Sequence, residues 1–249
     1  MKIKTILVSQ PEPKSDKSPY TELADKKGLK IDFRPFIQVE GVPVKDFRQE
    51  RIDILAHTGV IFTSRTAVDN YFRISEELRL TIPDTMKYFC ISEATAYYLQ
   101  KYIVYRKRKI HYGNGTFADL MEVIKKHKEE SFLVPLSDTH KEEIPKKLEQ
   151  AKIKYTKAIM YRTVSADLSD LSDVNYDMLV FYSPSGIKSL MENFPEFKQN
   201  NTKIATFGPK TAKAVKDAGL VVDVPAPTKA APSMTMAIEQ FVTECAKKK

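Results

Sequence analysis

Short polar turns rich in hydroxyls and glycine punctuate this chain where apolar runs give way to helical periodicity. Ser64, Arg65 and Thr66 form one turn, Ser92 a second, and Gly115 with Thr116 a third. Ser183, Ser185 and Gly186 form a fourth, Gly208, Lys210 and Thr211 a fifth, and Ser233 a sixth. Ser9 ends the first apolar run, and Ser137 follows the run from Phe132 to Pro135. A helix leaves its first N–H groups without intrahelical partners, and its dipole makes that end positive. Ser, Thr and Gly there either cap the helix, as in any globular protein, or leave N–H groups free to grip an anion. The spacing is compatible with both. Anion binding requires the turns to gather at the carboxyl ends of parallel strands, where doubly wound sheets bind ligands.

The elements around these turns follow one grammar. Met178 to Tyr182 is an apolar run, and after the turn Ile187, Leu190, Met191 and Phe194 keep the i, i+3, i+4, i+7 spacing of a helix with one buried face. Ile204 to Phe207, then Ala212 and Val215, repeat it. The same grammar occurs earlier. Phe62, Ser64, Thr66, Val68, Tyr71 and Phe72 match Phe181, Ser183, Ser185, Ile187, Leu190 and Met191 at an offset of 119. Tyr88 to Ile91 with Ser92 pairs with Phe207 and Gly208 at 116, and Phe117, Leu120, Met121 and Ile124 pair with Met234, Ala237, Ile238 and Phe241 at 117. A strand, helix, strand over residues 3–33, stopped at Gly28, reappears as Phe132 to Pro135, Lys141 to Gln150 and Ile153 to Met160. The stretch FRPFIQVEGVPVKDF shows no helical period and reads as extended. Duplication at this period implies two domains, each a parallel doubly wound sheet of flavodoxin-like type with about five strands. Either the copies are contiguous, or the first strand–helix–strand packs with the last three units; the sequence leaves both open.

Bulk properties narrow the class. A hydrophobic content of 42% with 29% charged residues suits a chain that buries a real core. Cys90 and Cys245 lie far apart without metal-ligand spacing, and the N-terminal apolar run is too short for a signal peptide. No stretch approaches a membrane span, so a cytoplasmic protein with no membrane partner is expected. The net charge of +8 favours an acidic partner. Arg106-Lys107-Arg108-Lys109 raises nucleic acid as a candidate, yet no zinc, helix-turn-helix or RNA-binding signature accompanies it, and such a run also guards an edge strand. The expectation is no nucleic acid and a small polyanionic ligand. His57, His111, His127 and His140 lack metal spacing and read as surface or loop residues; there is no G-x-G-x-x-G or Walker sequence.

Phe181-Tyr182-Ser183-Pro184-Ser185-Gly186, followed by a strand and Ile204-Ala205 with Gly208-Pro209, Thr211-Ala212 and Ala214, resembles the C-terminal half of the uroporphyrinogen-III synthases. The resemblance implies two similar flavodoxin-like domains joined by two extended linkers: residues 1–36 with 167–249, and 37–166, with crossings at about 35–42 and 161–166. It implies a cofactor-free, monomeric lyase that dehydrates and cyclises hydroxymethylbilane, a linear tetrapyrrole crowded with carboxylates, in a cleft between the domains. Functional coupling to hydroxymethylbilane synthase is implied too. Tyr161, with Thr163 two residues on, is similar to the family tyrosine that assists loss of the substrate hydroxyl; a phenol with an ordinary pKa near 10 stays protonated at neutral pH. The chain departs from the family at Gln10 and in the loop at 136–141, each a place where relatives carry arginine. Arg65, Lys141, Arg162 and Lys210 are candidate replacements. A non-catalytic binder of a polyanion is the rival reading.

Overall fold

The chain enters its first sheet with β1, Thr5–Val8, whose Ile6, Leu7 and Val8 are all buried, as in a strand covered on both faces. A helix, α1 (Pro19–Lys27), follows because its signals agree: Ser18 accepts from the Thr21 N–H at 3.1 Å, Pro19 stands at the first helical position, and Gly28 ends the helix with φ +62°. Then β2 (Lys30–Phe33) lies parallel to β1. The computed structural model describes residues 3–15, 17–171 and 175–247. These fall into two compact units, one made of the described residues up to Gln38 with those from Val164 onward, the other of Val39–Thr163.

The middle of the chain builds the second unit. Its elements are β3 (Ile37–Gly41), α2 (Val44–Gln49), β4 (Gly59–Phe62), α3 (Arg65–Glu77), β5 (Lys87–Cys90), α4 (Glu93–Tyr98), β6 (Ile110–Tyr112), α5 (Phe117–Ile124), β7 (Phe132–Ser137), α6 (Glu143–Gln150) and β8 (Tyr155–Ser165). The chain then completes the first unit with β9 (Met178–Phe181), α7 (Pro184–Asn193), β10 (Lys203–Phe207), α8 (Pro209–Asp217), β11 (Val224–Ala226) and α9 (Met234–Lys247).

Sheet order resolves the pairing that the sequence leaves open. One sheet runs β11-β10-β9-β1-β2, the other β3-β8-β7-β4-β5-β6. Counted by repeat unit, both contain the flavodoxin-like order 2-1-3-4-5, with β7 and β8 standing in the second sheet where β1 and β2 stand in the first. The duplicates therefore exchange their first strand–helix–strand. Neighbours β1/β2, β1/β9, β9/β10, β10/β11, β4/β5, β4/β7, β5/β6 and β7/β8 all pair in parallel. Outside β8, β3 is joined through the Val42 N–H to the Met160 carbonyl, 2.9 Å.

Strand alternation sorts each core into two layers. In the second unit Val60 and Phe62 pack with Val68, Tyr71 and Ile74 of α3, while Ile61 between them turns to Phe117, Leu120 and Ile124 of α5. In the first unit Ile6 and Val8 meet Leu23 and Ile238, whereas Leu7 meets Ile187, Leu190 and Val215. Three expectations need correction. Val44–Gln49 is helical, not extended; this short helix buries Phe47 alone, too little to print a period. His111 lies in a strand, not a loop: β6 is a three-residue edge strand and, like β11, is too short to carry an alternation signal. His57 is buried, its Nδ1 2.8 Å from the Asp53 carbonyl and its Nε2 2.8 Å from Thr156 Oγ1. The basic run at 106–109 leads directly into edge strand β6.

Gly113 sets how closely α5 approaches its strand. A Cβ there would stand 2.7 Å from the Leu120 nitrogen and 3.0 Å from its Cα, backbone atoms that cannot rotate away. Gly113→Ala is expected to lower stability by about 1–3 kcal/mol, the usual cost of overpacking. Urea denaturation checks it; a change below about 0.5 kcal/mol, the range of inert surface substitutions, would show that α5 shifts freely.

Candidate functional site

Tyr161 sits where β8 breaks register with β7. Leu136 pairs with Ile159 but Ser137 pairs with Tyr161, so one extra residue enters β8 at this point. Such bulges re-aim side chains. The Tyr161 ring is 9% exposed, and its Oη lies 3.3 Å from Ser64 Oγ. Ser64 is held in turn as the N-cap of α3, accepting from the Ala67 N–H at 3.0 Å. Burial pushes the Tyr161 phenol above the ordinary tyrosine value, with the Ser64 contact acting weakly the other way. At neutral pH the group is a proton donor.

Around Tyr161 the second unit forms a pocket of about 390 Å³, lined by residues at the carboxyl ends of its strands. Thr63 follows β4, Ile91 follows β5, Leu136 and Ser137 end β7, and Gly115 to Ala118 supply the entry to α5. Gly115 holds φ +100°, and its N–H donates to the Ile91 carbonyl at 2.9 Å. Thr116 caps α5 by accepting from the Asp119 N–H at 3.1 Å, which leaves the N–H groups of Phe117 and Ala118 unclaimed by the cap. Ser137 donates to Asp138 Oδ1 at 2.9 Å and accepts from the Thr139 N–H at 3.3 Å. The loop then delivers His140, Lys141 and Glu143 to the wall. His140 Nδ1 is 2.8 Å from the Ser137 carbonyl. Since a carbonyl only accepts, Nδ1 carries the hydrogen and Nε2 is the atom free to accept or, once protonated, to donate.

Among the expected residues, Gly115, Thr116, Ser137 and Tyr161 line this one pocket, and Ser64 touches it through Tyr161. Ser92 caps α4, accepting from the Thr95 N–H at 3.3 Å. Arg65 is exposed, with its guanidinium 5.3 Å from the centre of the Tyr98 ring, and the Thr66 carbonyl accepts from Asn70. Arg162 is 4.0 Å from Asp46. The first unit presents its own set at the carboxyl ends of β1, β9 and β10. Ser183 caps α7 by accepting from the Gly186 N–H at 3.3 Å, and a Cβ on Gly186 would stand 3.7 Å from Ser9 Oγ. Ser185 is half-buried, Gly208 opens α8 with φ +87°, Lys210 is exposed and Thr211 is a core residue at 2% exposure. Ser233 accepts from the Met236 N–H at the start of α9, 3.2 Å.

Sequence reasoning passed over Thr63, Thr139, His140 and Glu143 as pocket residues. His140 reads as a loop histidine because its neighbours carry no strand or helix period; only its place three residues after Ser137 hints at a shared carbonyl.

The family model for uroporphyrinogen-III synthase HemD matches residues 18–236. Among solved structures, the uroporphyrinogen-III synthetase of Helicobacter pylori is similar at 18% identity with a TM-score of 0.58, covering 97% of this chain and 100% of that one. A mutant uroporphyrinogen III synthase from the extreme thermophile Thermus thermophilus is 16% identical with a TM-score of 0.48, covering 99% and 100%. No curated protein sequence matches the chain.

Proposed function

The chain belongs to the uroporphyrinogen-III synthase family, whose members are cyclising lyases acting on a small molecule, and from that membership we propose that it converts hydroxymethylbilane to uroporphyrinogen III. The observation that carries the proposal is the buried, protonated Tyr161 phenol at the wall of a pocket built from strand ends and a helix N-terminus. In the proposed reaction Tyr161 donates to the terminal hydroxyl as its carbon–oxygen bond breaks, so that water leaves with the electron pair of that bond. The N-protonated azafulvene left behind is electrophilic. Attack by the far end of the chain, through the spiro intermediate that inverts the last pyrrole, closes the ring and releases a proton, which restores the Tyr161 phenol. The net change is loss of one water, with no redox step and no cofactor demanded by the balance. The protein's remaining work is to keep the ends close and to receive carboxylates on the α5 N-terminus and on Lys141.

Spontaneous closure gives the type I isomer without inversion, so product identity is the test. Incubation with purified hydroxymethylbilane synthase and its substrate is expected to yield the type III isomer in proportion to this protein. Formation of type I alone would overturn the activity, and saturable binding of the bilane in that case would mark a non-catalytic binder.

A further inference from the structure

A cluster of metal-binding side chains sits at the other edge of the same sheet. The pocket opens where β4, β5 and β7 end, whereas Lys87 starts β5 and Glu130 lies two residues before β7. There His127, Glu129 and Glu130 bring one ligand atom each to within 4.8 Å of one another, with His127 Nδ1 3.6 Å from Glu129 Oε1. His111, in the middle of β6, lies ring to ring with His127 at 4.5 Å. Phe89 braces both imidazoles, stacked on His111 at 4.9 Å and edge-on to His127 at 5.2 Å.

Two observations separate this cluster from an ordinary charged surface. His111 Nε2 is shielded from solvent and has no hydrogen-bond partner, a costly arrangement unless something ligates the nitrogen. Glu130 is 9% exposed and is held in place by Lys87 Nζ, so protein contacts alone order its carboxylate.

We propose that His127, Glu129 and Glu130, whose ligand atoms already converge, form a binding site for a divalent cation of the zinc class, and that the neighbouring His111 moves in to complete it. Two imidazoles and two carboxylates are the donor set of a four-coordinate borderline ion, and too nitrogen-rich for magnesium or calcium. On binding, one ion ligates His111 Nε2 and His127 Nδ1, and Lys87 remains on Glu130 as an outer partner that orients the carboxylate. The site would tie the α5–β7 connection to the edge strand β6. It stands apart from the pocket chemistry and does not depend on the proposed reaction.

Titration of the untagged, chelator-treated full chain with zinc chloride, followed by calorimetry, tests the site. Saturable uptake of one equivalent is expected, with affinity reduced at least tenfold in His127→Ala and in the exposed Glu129→Gln, and unchanged in Cys245→Ser. Imidazole nitrogen NMR supplies a reading independent of affinity: resonances of His111 and His127 shift on adding zinc while those of His57 do not. Circular dichroism of the metal-free variants confirms that each is folded. No saturable uptake, or uptake that survives both His127→Ala and Glu129→Gln, overturns the proposal.

Discussion

Phenylalanine in place of Tyr161 is expected to slow formation of the type III isomer about a hundredfold, within the range that a positioned proton donor contributes. The substitution removes one oxygen and keeps the ring, so the packing of Tyr161 against its core is retained. A hundredfold corresponds to about 2.7 kcal/mol of lost transition-state stabilisation. Because the oxygen assists bond breaking, the loss should fall on kcat, with KM changed little. The Ser64 partner separates positioning from packing. Ser64→Ala should lower kcat less than Tyr161→Phe and should also cost about 1 kcal/mol of stability through the missing α3 cap. The double variant should be no slower than Tyr161→Phe alone, since Ser64 acts on catalysis only through that phenol. pH adds a second check with a defined sign. The protonated phenol is the working form, and its pKa in the fold is raised above 10.0 by burial. Activity due to this group is therefore complete at neutral pH and is lost as pH rises through that raised value. A Tyr161→Phe enzyme within twofold of the parent rate would remove the phenol from the mechanism.

What the sequence made legible follows from how locally each feature is encoded. Ser18, Ser64, Thr116 and Ser183 announce helix starts because a cap needs only its own residue and the N–H groups two or three positions on. Helices α3 and α5 were readable because each buries a full stripe. Strand pairing is encoded elsewhere. Whether β1 pairs with β4, as contiguous copies would require, or with β9, as it does, depends on contacts far apart in the chain, and Ile6, Leu7 and Val8 look the same in either sheet. The bulge at Ser137 and Tyr161 is invisible for the same reason: it is a mismatch between two strands, not a property of either. Helix α2, with one buried residue, has no period to read. The pocket combined both kinds of information. Its capped turns came from local signals, whereas His140 entered it through the geometry of a loop.

Charge reversal at Lys141 is expected to move stability and binding in opposite directions. Lys141 stands just ahead of α6 and lines the pocket, exposed, with no carboxylate within 4.0 Å of it among the described residues. A cation before a helix N-terminus opposes the dipole, and its favourable charge interaction with Glu143 is secondary to that acid's pair with Lys147. Glu143, the nearest acid in the first turn, is already paired with Lys147 at 2.7 Å, which holds its carboxyl below the usual range. Selection for stability would place an acid at Lys141. A lysine makes physical sense if its task is to meet a carboxylate of the ligand, in the loop where an arginine of relatives is missing. A charged hydrogen bond of this kind contributes about 1.5–3 kcal/mol. Lys141→Glu should accordingly raise KM for the bilane about ten- to a hundredfold and leave kcat within a few fold, while stability measured in urea holds or rises by up to about 1 kcal/mol. Lys141→Ala should fall between the two. Added salt should weaken substrate binding to the parent enzyme more than to Lys141→Ala, because only the parent keeps the attraction that salt screens. An unchanged KM in Lys141→Glu would place the carboxylate contacts on the α5 N-terminus and on His140 instead.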